Sequence, residues 1–431
     1  MPAAPPTQIP PTTTPANHNR PGPNRPPAGQ PVHRPGRPQG ATEAFALGSF
    51  LARWSSLAAH DLSASESATM TLPTLLAMAQ PDDAARWAAL DLDYSHPRGA
   101  AWLRAEIATR YRALDPDNIV CCAGAQEGLT CVANAILDPD DHAIVVLPIY
   151  QPSEWALTSV CATTGVALHD QGQDKRQDRG RWRLDIDRLA AAIRRETKLV
   201  LINFPNSPSG AQIDAHSLAA LIALCRHYGL WLVNDEVYRL TTLDPTCDPP
   251  PIAALYERGI SINSLSKGYG LAGLRTGWIA CQDRVLLAKV LLAKSALSSC
   301  VAAPNEVLAH IALRAEAPIV ARNRSIAQAN LALLQACLTR HGQIFELAEP
   351  NNLAFYAPRT RLSADATDLA TRLADAAGVL LLPWALWRSP LAEVPTDRLR
   401  IGLGGRAMAT AVAALDDYLV RHVTPAEAHP W

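Results

Sequence analysis

The chain has 431 residues, 48% hydrophobic and 18% charged, with a formal net charge of −1. That length and apolar content suffice for a substantial core in one large domain or two ordinary ones. The balanced charge gives no electrostatic reason to bind nucleic acid or an anionic membrane, and no apolar run reaches the roughly eighteen residues of a membrane helix.

Residues 1–41 are proline-rich and contain no acid. Such a composition cannot bury enough apolar surface to offset its ordering entropy, and predicts a disordered tail. It offers no apolar core for a secretion signal and no amphipathic helix for a transit peptide. The nine cysteines, at 121, 122, 131, 161, 225, 247, 281, 300 and 337, form no C-x-x-C pair. They point to reduced thiols in a cytoplasmic protein and to no metal site.

From residue 42 the texture is globular. Helices are expected at 43–59, 72–79 and 100–111. Apolar runs then alternate with amphipathic segments: strand 118–122, helix 126–137, strand 142–148, helix 153–164, helix 185–195, strand 198–204, helix 214–228 and strand 230–235. Short strands at 260–265 and 277–281 follow. This alternation predicts an α/β fold with a mostly parallel central sheet sandwiched by helices, its ligand beyond the carboxyl ends of the strands. Residues 86–310 make up this large unit. A smaller α+β unit is expected from residues 311–431, completed by 42–85, with extended segments at 353–357, 379–382 and 399–403 and helices at 366–377 and 409–421.

The segment Ser264-Leu265-Ser266-Lys267-Gly268-Tyr269-Gly270-Leu271-Ala272-Gly273-Leu274-Arg275 contains a G-x-G-x-x-G match. A dinucleotide site also needs an acid about twenty residues on, and 285–301 contains neither Asp nor Glu. A carbonyl cofactor explains more of the segment. A lysine forming a Schiff base needs a partly desolvated amine. A phosphate on the same cofactor needs hydroxyls and a planar cation, which Ser264, Ser266 and Arg275 supply.

Ser264-Leu265-Ser266-Lys267 and Arg275-Thr276-Gly277-Trp278 resemble the S-x-S-K…R-x-G-W signature of the class I/II aminotransferases, pyridoxal-phosphate enzymes of fold type I. The resemblance extends over about residues 60–420. It implies pyridoxal 5′-phosphate as cofactor and Lys267 as the Schiff-base lysine that later shuttles a proton. Ser264 and Arg275 would hold the phosphate, with the backbone N–H groups of Ala125 and Gln126 at a helix N-terminus.

Asp235-Glu236-Val237-Tyr238 resembles the family's D-E-x-Y strand end. Asp235 would then keep the pyridine nitrogen protonated, and Tyr238 would bond the ring oxygen. Pro148-Ile149-Tyr150 resembles the segment whose aromatic stacks on the ring and faces the substrate. Tyr94, in a turn resembling Y-x-x-x-x-G, would reach the neighbouring subunit's phosphate, implying a homodimer.

Asn206-Ser207-Pro208-Ser209-Gly210 departs from the family's N-P-x-G, so that Ser207 stands where an asparagine is expected. Either Asn206 substitutes or the contact to the ring oxygen is weakened. Arg400, in Leu399-Arg400-Ile401-Gly402-Leu403, resembles the arginine that clamps the substrate carboxylate, with Arg398 as alternative. Ser65 and Glu66 fall near the family's N-terminal substrate strand. Glu66 is expected at the surface, with a cationic substrate side chain as the other possible partner.

The resemblance implies transfer of an amino group between an L-amino acid and a 2-oxo acid. A lyase, cyclase or amino-acid oxidase on the same fold is the alternative, and a catalytically silent regulator is a third reading.

Overall fold

A computed structural model describes residues 32–33, 45–170, 182–244 and 249–423. Its central sheet has eight strands: β1 (Val32–His33), β2 (Ile119–Cys122), β3 (His142–Leu147), β4 (Ala162–Ala167), β5 (Thr197–Asn203), β6 (Trp231–Asp235), β7 (Gly259–Ser264) and β8 (Gly277–Cys281). Their order across the sheet is β1-β4-β3-β5-β6-β7-β8-β2.

Strand β3 is buried at every position, as expected where helices cover both faces. Alternate residues serve opposite cores. Val145 and Leu147 pack in one cluster with Leu129 and Val132 of the helix Ala125–Ile136. Ile144 and Val146 pack on the other side with Leu218, Leu221 and Ile222 of the helix Ala215–Tyr228. Strands β4, β3, β5, β6 and β7 pair in parallel, whereas β8 is antiparallel to both β7 and β2. The double reversal leaves β2 running with β7. The carboxyl ends of β2, β3, β5, β6 and β7 therefore share one edge, beside the amino end of β8.

The expected helix 153–164 is a helix over Gln151–Thr158 followed by β4. Ala162-Thr163-Thr164-Gly165-Val166-Ala167 is rich in β-branched residues, which favour a pleated, buried strand. Gly165 also has a packing reason, since a Cβ there would lie 2.6 Å from Leu147 Cδ1. A helix over Pro81–Ala88, entered through a capping box from Gln80 to Asp83, was not anticipated. The expected disordered tail falls outside the described residues except for Val32–His33, whose backbone pairs antiparallel with β4.

A second, antiparallel sheet has the order β9 (Phe355–Tyr356), β11 (Leu399–Gly402) and β10 (Leu382–Pro383). Leu399 and Ile401 pack there with Leu369 and Leu373 of the helix Thr367–Ala377 and with Leu415 and Leu419 of the helix Met408–His422. The helix Glu316–Arg340 belongs to both halves: Ile319 packs with Leu103 and Trp278, while Leu331 and Leu334 pack with Leu399. Of the segment expected beside this smaller unit, Trp54 packs on Leu380 and Leu62 joins its core. Leu75 instead packs with Leu103 and Ile107 of the larger unit.

Between these two anchorages, residues 62–68 run along the edge where the large sheet's strands end. Gly402 N donates to Leu62 O at 2.7 Å, and Ser67 N donates to Lys267 O at 2.9 Å. A Cβ on Gly402 would lie 1.8 Å from Ala64 O, and one on Gly404 would lie 2.1 Å from Glu66 O. Backbone meets backbone here, so only glycine fits. Gly402→Ala is expected to lower stability by about 1–3 kcal/mol through overpacking. A thermal midpoint unchanged from wild type would show that this strand contact does not hold the segment.

Candidate active site

The register of the sheet assembles the first part of the site. Ser264 of β7, Gly277 of β8 and Cys122 of β2 lie in one row across three adjacent strands. Just beyond Cys122 the chain turns through Gly124, at φ 90°, into the helix Ala125–Ile136. The turn sits tightly against β8: a Cβ on Gly277 would lie 2.8 Å from Ala125 N. The first N–H groups of a helix have no intrahelical acceptor and carry the positive end of its dipole. Arg275 brings its guanidinium to the same place, since a Cβ on Gly124 would meet its Nη2 at 2.7 Å. A cation beside a helix N-terminus, with the Ser264 hydroxyl in the adjoining row, is a seat for an anion. Gln126 turns its side chain away, donating to Pro152 O at 2.9 Å, so only its backbone is available there.

Lys267 lies two residues beyond the end of the buried Leu265. Its Nζ donates to Ser65 Oγ at 2.9 Å and approaches Glu66 Oε2 at 3.4 Å. Tyr238 OH donates to the same Ser65 Oγ at 3.0 Å, and the ammonium lies 5.8 Å from the Tyr238 ring centroid. Ser65 thus links the lysine to the tyrosine, a junction that motif spacing did not reveal. Glu66 is not the surface residue expected: its side chain retains 29% exposure and faces Lys267. Burial works to raise its pKa, but the Lys267 charge and the N–H groups of Glu66 and Ser65 outweigh it and hold the carboxyl below its ordinary value.

Asp235 ends β6 and is buried. Its Oδ1 accepts only a long bond from Val237 N at 3.3 Å. Burial, opposed by the Val237 N–H and the Lys267 charge, pushes its pKa up to about 7. A carboxylate this poorly supplied with donors calls for a cationic N–H partner. Its neighbour Glu236 points elsewhere, with Oε1 accepting from Ser261 Oγ and Ile252 N.

Arg400 is buried on β11, and among the described residues no carboxylate is bonded to it. Nη2 donates to Ser63 O at 2.6 Å, Nη1 reaches Ser207 Oγ at 3.4 Å, and Nε has no acceptor among the described residues. Trp387 and Phe355 rings flank the guanidinium at 4.8 and 5.6 Å. Burial lowers its pKa against the pull of Tyr238, Glu66, Tyr150 and Asp61. Arg398, the sequence alternative, is otherwise engaged: it pairs with Asp170 at 2.6 Å and packs against the rings of both Trp182 and Trp384.

Asn206 is buried and ties its loop to the end of β3, donating to Pro148 O at 2.9 Å while its Oδ1 accepts from Ser209 N at 3.2 Å. The Asn206 amide nitrogen is thus committed to Pro148 O, and the Ser207 hydroxyl lies 3.4 Å from Arg400 Nη1. Tyr150 is half exposed at the start of the helix Gln151–Thr158, while Tyr94 is 88% exposed.

The Asp235 environment has a measurable consequence. Its carboxyl keeps a proton to about pH 7 when folded, against an ordinary value of 3.8. The unfolded chain therefore releases that proton first, and this group removes stability as pH rises from about 4 to about 7. The full effect is on the order of 4 kcal/mol. Cofactor-free Asp235→Asn should gain thermal stability over cofactor-free wild type, and more at pH 8 than at pH 5. Parallel melting curves across that range would show the Asp235 charge to be well accommodated.

Residues 61–415 match the family model described as aminotransferase class I and II. The arginine–pyruvate transaminase AruH of Pseudomonas aeruginosa is 33% identical over 192 residues, 43% of this chain and 47% of that protein, so the match spans about half its length. A probable N-succinyldiaminopimelate aminotransferase, DapC, of Mycobacterium tuberculosis is 28% identical over 310 residues, 68% of this chain and 74% of the relative. A crystal structure of a PLP-dependent aminotransferase from Streptococcus suis superposes with a TM-score of 0.78 at 24% identity, covering 88% of this chain and 98% of that one. With its sheet order, its strand-end lysine and a family match across most of its length, the chain belongs to the class I and II aminotransferases, pyridoxal-phosphate enzymes of fold type I.

Proposed function

We propose that Lys267 is the lysine that carries pyridoxal 5′-phosphate and that the chain uses it to move an amino group between an L-amino acid and a 2-oxo acid. The observation that carries this reading is the set of unmet charges around one primary amine. Arg275 faces the helix N-terminus at Ala125 and Gln126, and among the described residues no cation is bonded to buried Asp235 and no carboxylate to buried Arg400.

The bound cofactor supplies an aldehyde for condensation and a ring that accepts the electron pair of a broken Cα–H bond. Arg275, Ser264, Ser266 and the two backbone N–H groups would hold its phosphate. Asp235 would hold a proton on the ring nitrogen, and Tyr238 would donate to the ring oxygen in place of Ser65. Tyr150 would lie against the ring. Arg400 would bind the substrate carboxylate bidentately and so orient Cα. Lys267 Nζ would take the Cα proton and return it, with Ser65 and Glu66 holding the amine in position.

Borohydride reduction of the holoenzyme should attach the cofactor to the peptide containing Lys267, and Lys267→Ala should abolish turnover. Label found on another lysine would refute the assignment. The second reading is elimination or cyclisation, supported by Ser207 standing at the usual asparagine position with its hydroxyl toward Arg400. Incubation with and without a 2-oxo acid separates the two: transamination needs the acceptor for repeated turnover, elimination does not.

The protein acts as a cytoplasmic homodimer in this reading. Its eight described cysteines are all free, which supports a reducing compartment. The 88% exposure of Tyr94, far from burial in its own chain, supports a role across a subunit boundary. Light scattering should give twice the chain mass of 46.3 kDa, and Tyr94→Phe should weaken cofactor retention on dialysis by about tenfold, as the loss of a hydrogen bond to a charged group allows. A monomer that retains cofactor fully would remove the shared-site proposal.

A further inference from the structure

The Glu66 carboxylate helps to hold the Lys267 amine, but the assignments above give its charge no partner on a substrate. Its main chain cannot drift. Gly404 admits Glu66 O against its own backbone, and Ser67 N is bonded to Lys267 O at 2.9 Å. Its side chain reaches Lys267 Nζ at 3.4 Å and accepts from Ser65 N at 3.1 Å, both through Oε2. Oε1 accepts from no described residue, and the carboxylate retains a route to solvent at 29% side-chain exposure. Its charge also acts on Arg400, so it stands near the carboxylate clamp as well as the amine. Asp61, the other acid felt by Arg400, is engaged: its Oδ1 accepts from Ser63 N at 2.7 Å and Ser63 Oγ at 2.6 Å.

The charge balance then decides what fits. A substrate carboxylate neutralises Arg400, and a lysine engaged in its chemistry is no longer a dependable counter-ion. Glu66 would be left as a partly buried carboxylate without a counter-ion, which is costly. An acidic substrate side chain would add repulsion to that cost, and a neutral one would leave it unrelieved. A cationic side chain relieves it.

We infer that Glu66 selects amino acids whose side chain carries a guanidinium or primary ammonium, meeting that charge while Arg400 holds the α-carboxylate. The inference rests on the assignments of Lys267 and Arg400 above. The bland alternative, that Glu66 only positions Lys267, predicts equal effects on every substrate, and this separates the two.

The experiment titrates the holoenzyme, without 2-oxo acid, with arginine and with citrulline, its neutral near-isostere, and with glutamate, following cofactor absorbance for dissociation constants. Wild type should bind arginine about tenfold or more tighter than citrulline, with glutamate weakest. Glu66→Gln should bring arginine and citrulline to within about twofold of each other, and Glu66→Asp, which keeps the charge, should retain part of the preference. Equal binding of arginine and citrulline by wild type would overturn the inference while leaving the aminotransferase reading in place. So would a preference that survives Glu66→Gln, or a loss that affects both ligands by the same factor. No absorbance response to any amino acid would sink both readings together.

Discussion

The site depends on how closely one extended segment can lie between two walls. Residues 62–68 are bonded to β11 through Gly402 on one side and to the Lys267 loop through Ser67 on the other. Their contacts are main chain against main chain, with glycines at 402, 404 and 270 where any side chain would collide. This arrangement delivers Ser65 to both Lys267 and Tyr238 and sets Glu66 beside the amine. A side chain on a loose loop would lose rotamer and backbone freedom each time it made those contacts; here the backbone is already fixed.

Around that segment the fold collects charged groups that have no opposite charge bonded to them among the described residues. Arg275 and a helix N-terminus repel one another across Gly124. Asp235 sits at the end of β6 with one long hydrogen bond, and Arg400 is buried between aromatic rings with an unbonded Nε. Each arrangement is unfavourable alone; the buried strand β6 fixes Asp235, β11 of the small sheet fixes Arg400, and the turn between β7 and β8 carries Arg275. Stability has been given up locally at positions where an anion, a pyridinium and a carboxylate would restore it.

Much of this was legible in the sequence because the key residues sit at strand ends. Apolar runs of strand length terminating in Asp235 or leading into Lys267 place those side chains at the carboxyl edge of a parallel sheet. The turn at Gly124 was readable for the same reason. What could not be read was decided by contacts between distant segments. Nothing local tells that Glu66 turns toward an amine two hundred residues away rather than toward water. Arg398 and Arg400 are equivalent by spacing, and only Asp170 with the two tryptophans distinguishes them. The loop at 206–211 closes on its own asparagine, a hydrogen-bond choice invisible in composition. Strand β4 was mistaken for a helix continuation because its apolar content fits both periods, and burial of its threonines settled the matter.

The ion pair between Arg398 and Asp170 also has a consequence for Arg400. Both arginines belong to one short extended stretch, and the first is bolted to a residue just beyond β4 of the large sheet. Sliding the small sheet relative to the large one would have to pull apart two opposite charges packed against a pair of indole rings. The guanidinium two positions along is thereby registered against the large sheet's strand ends, like a mark on a ruler pinned at its neighbouring graduation.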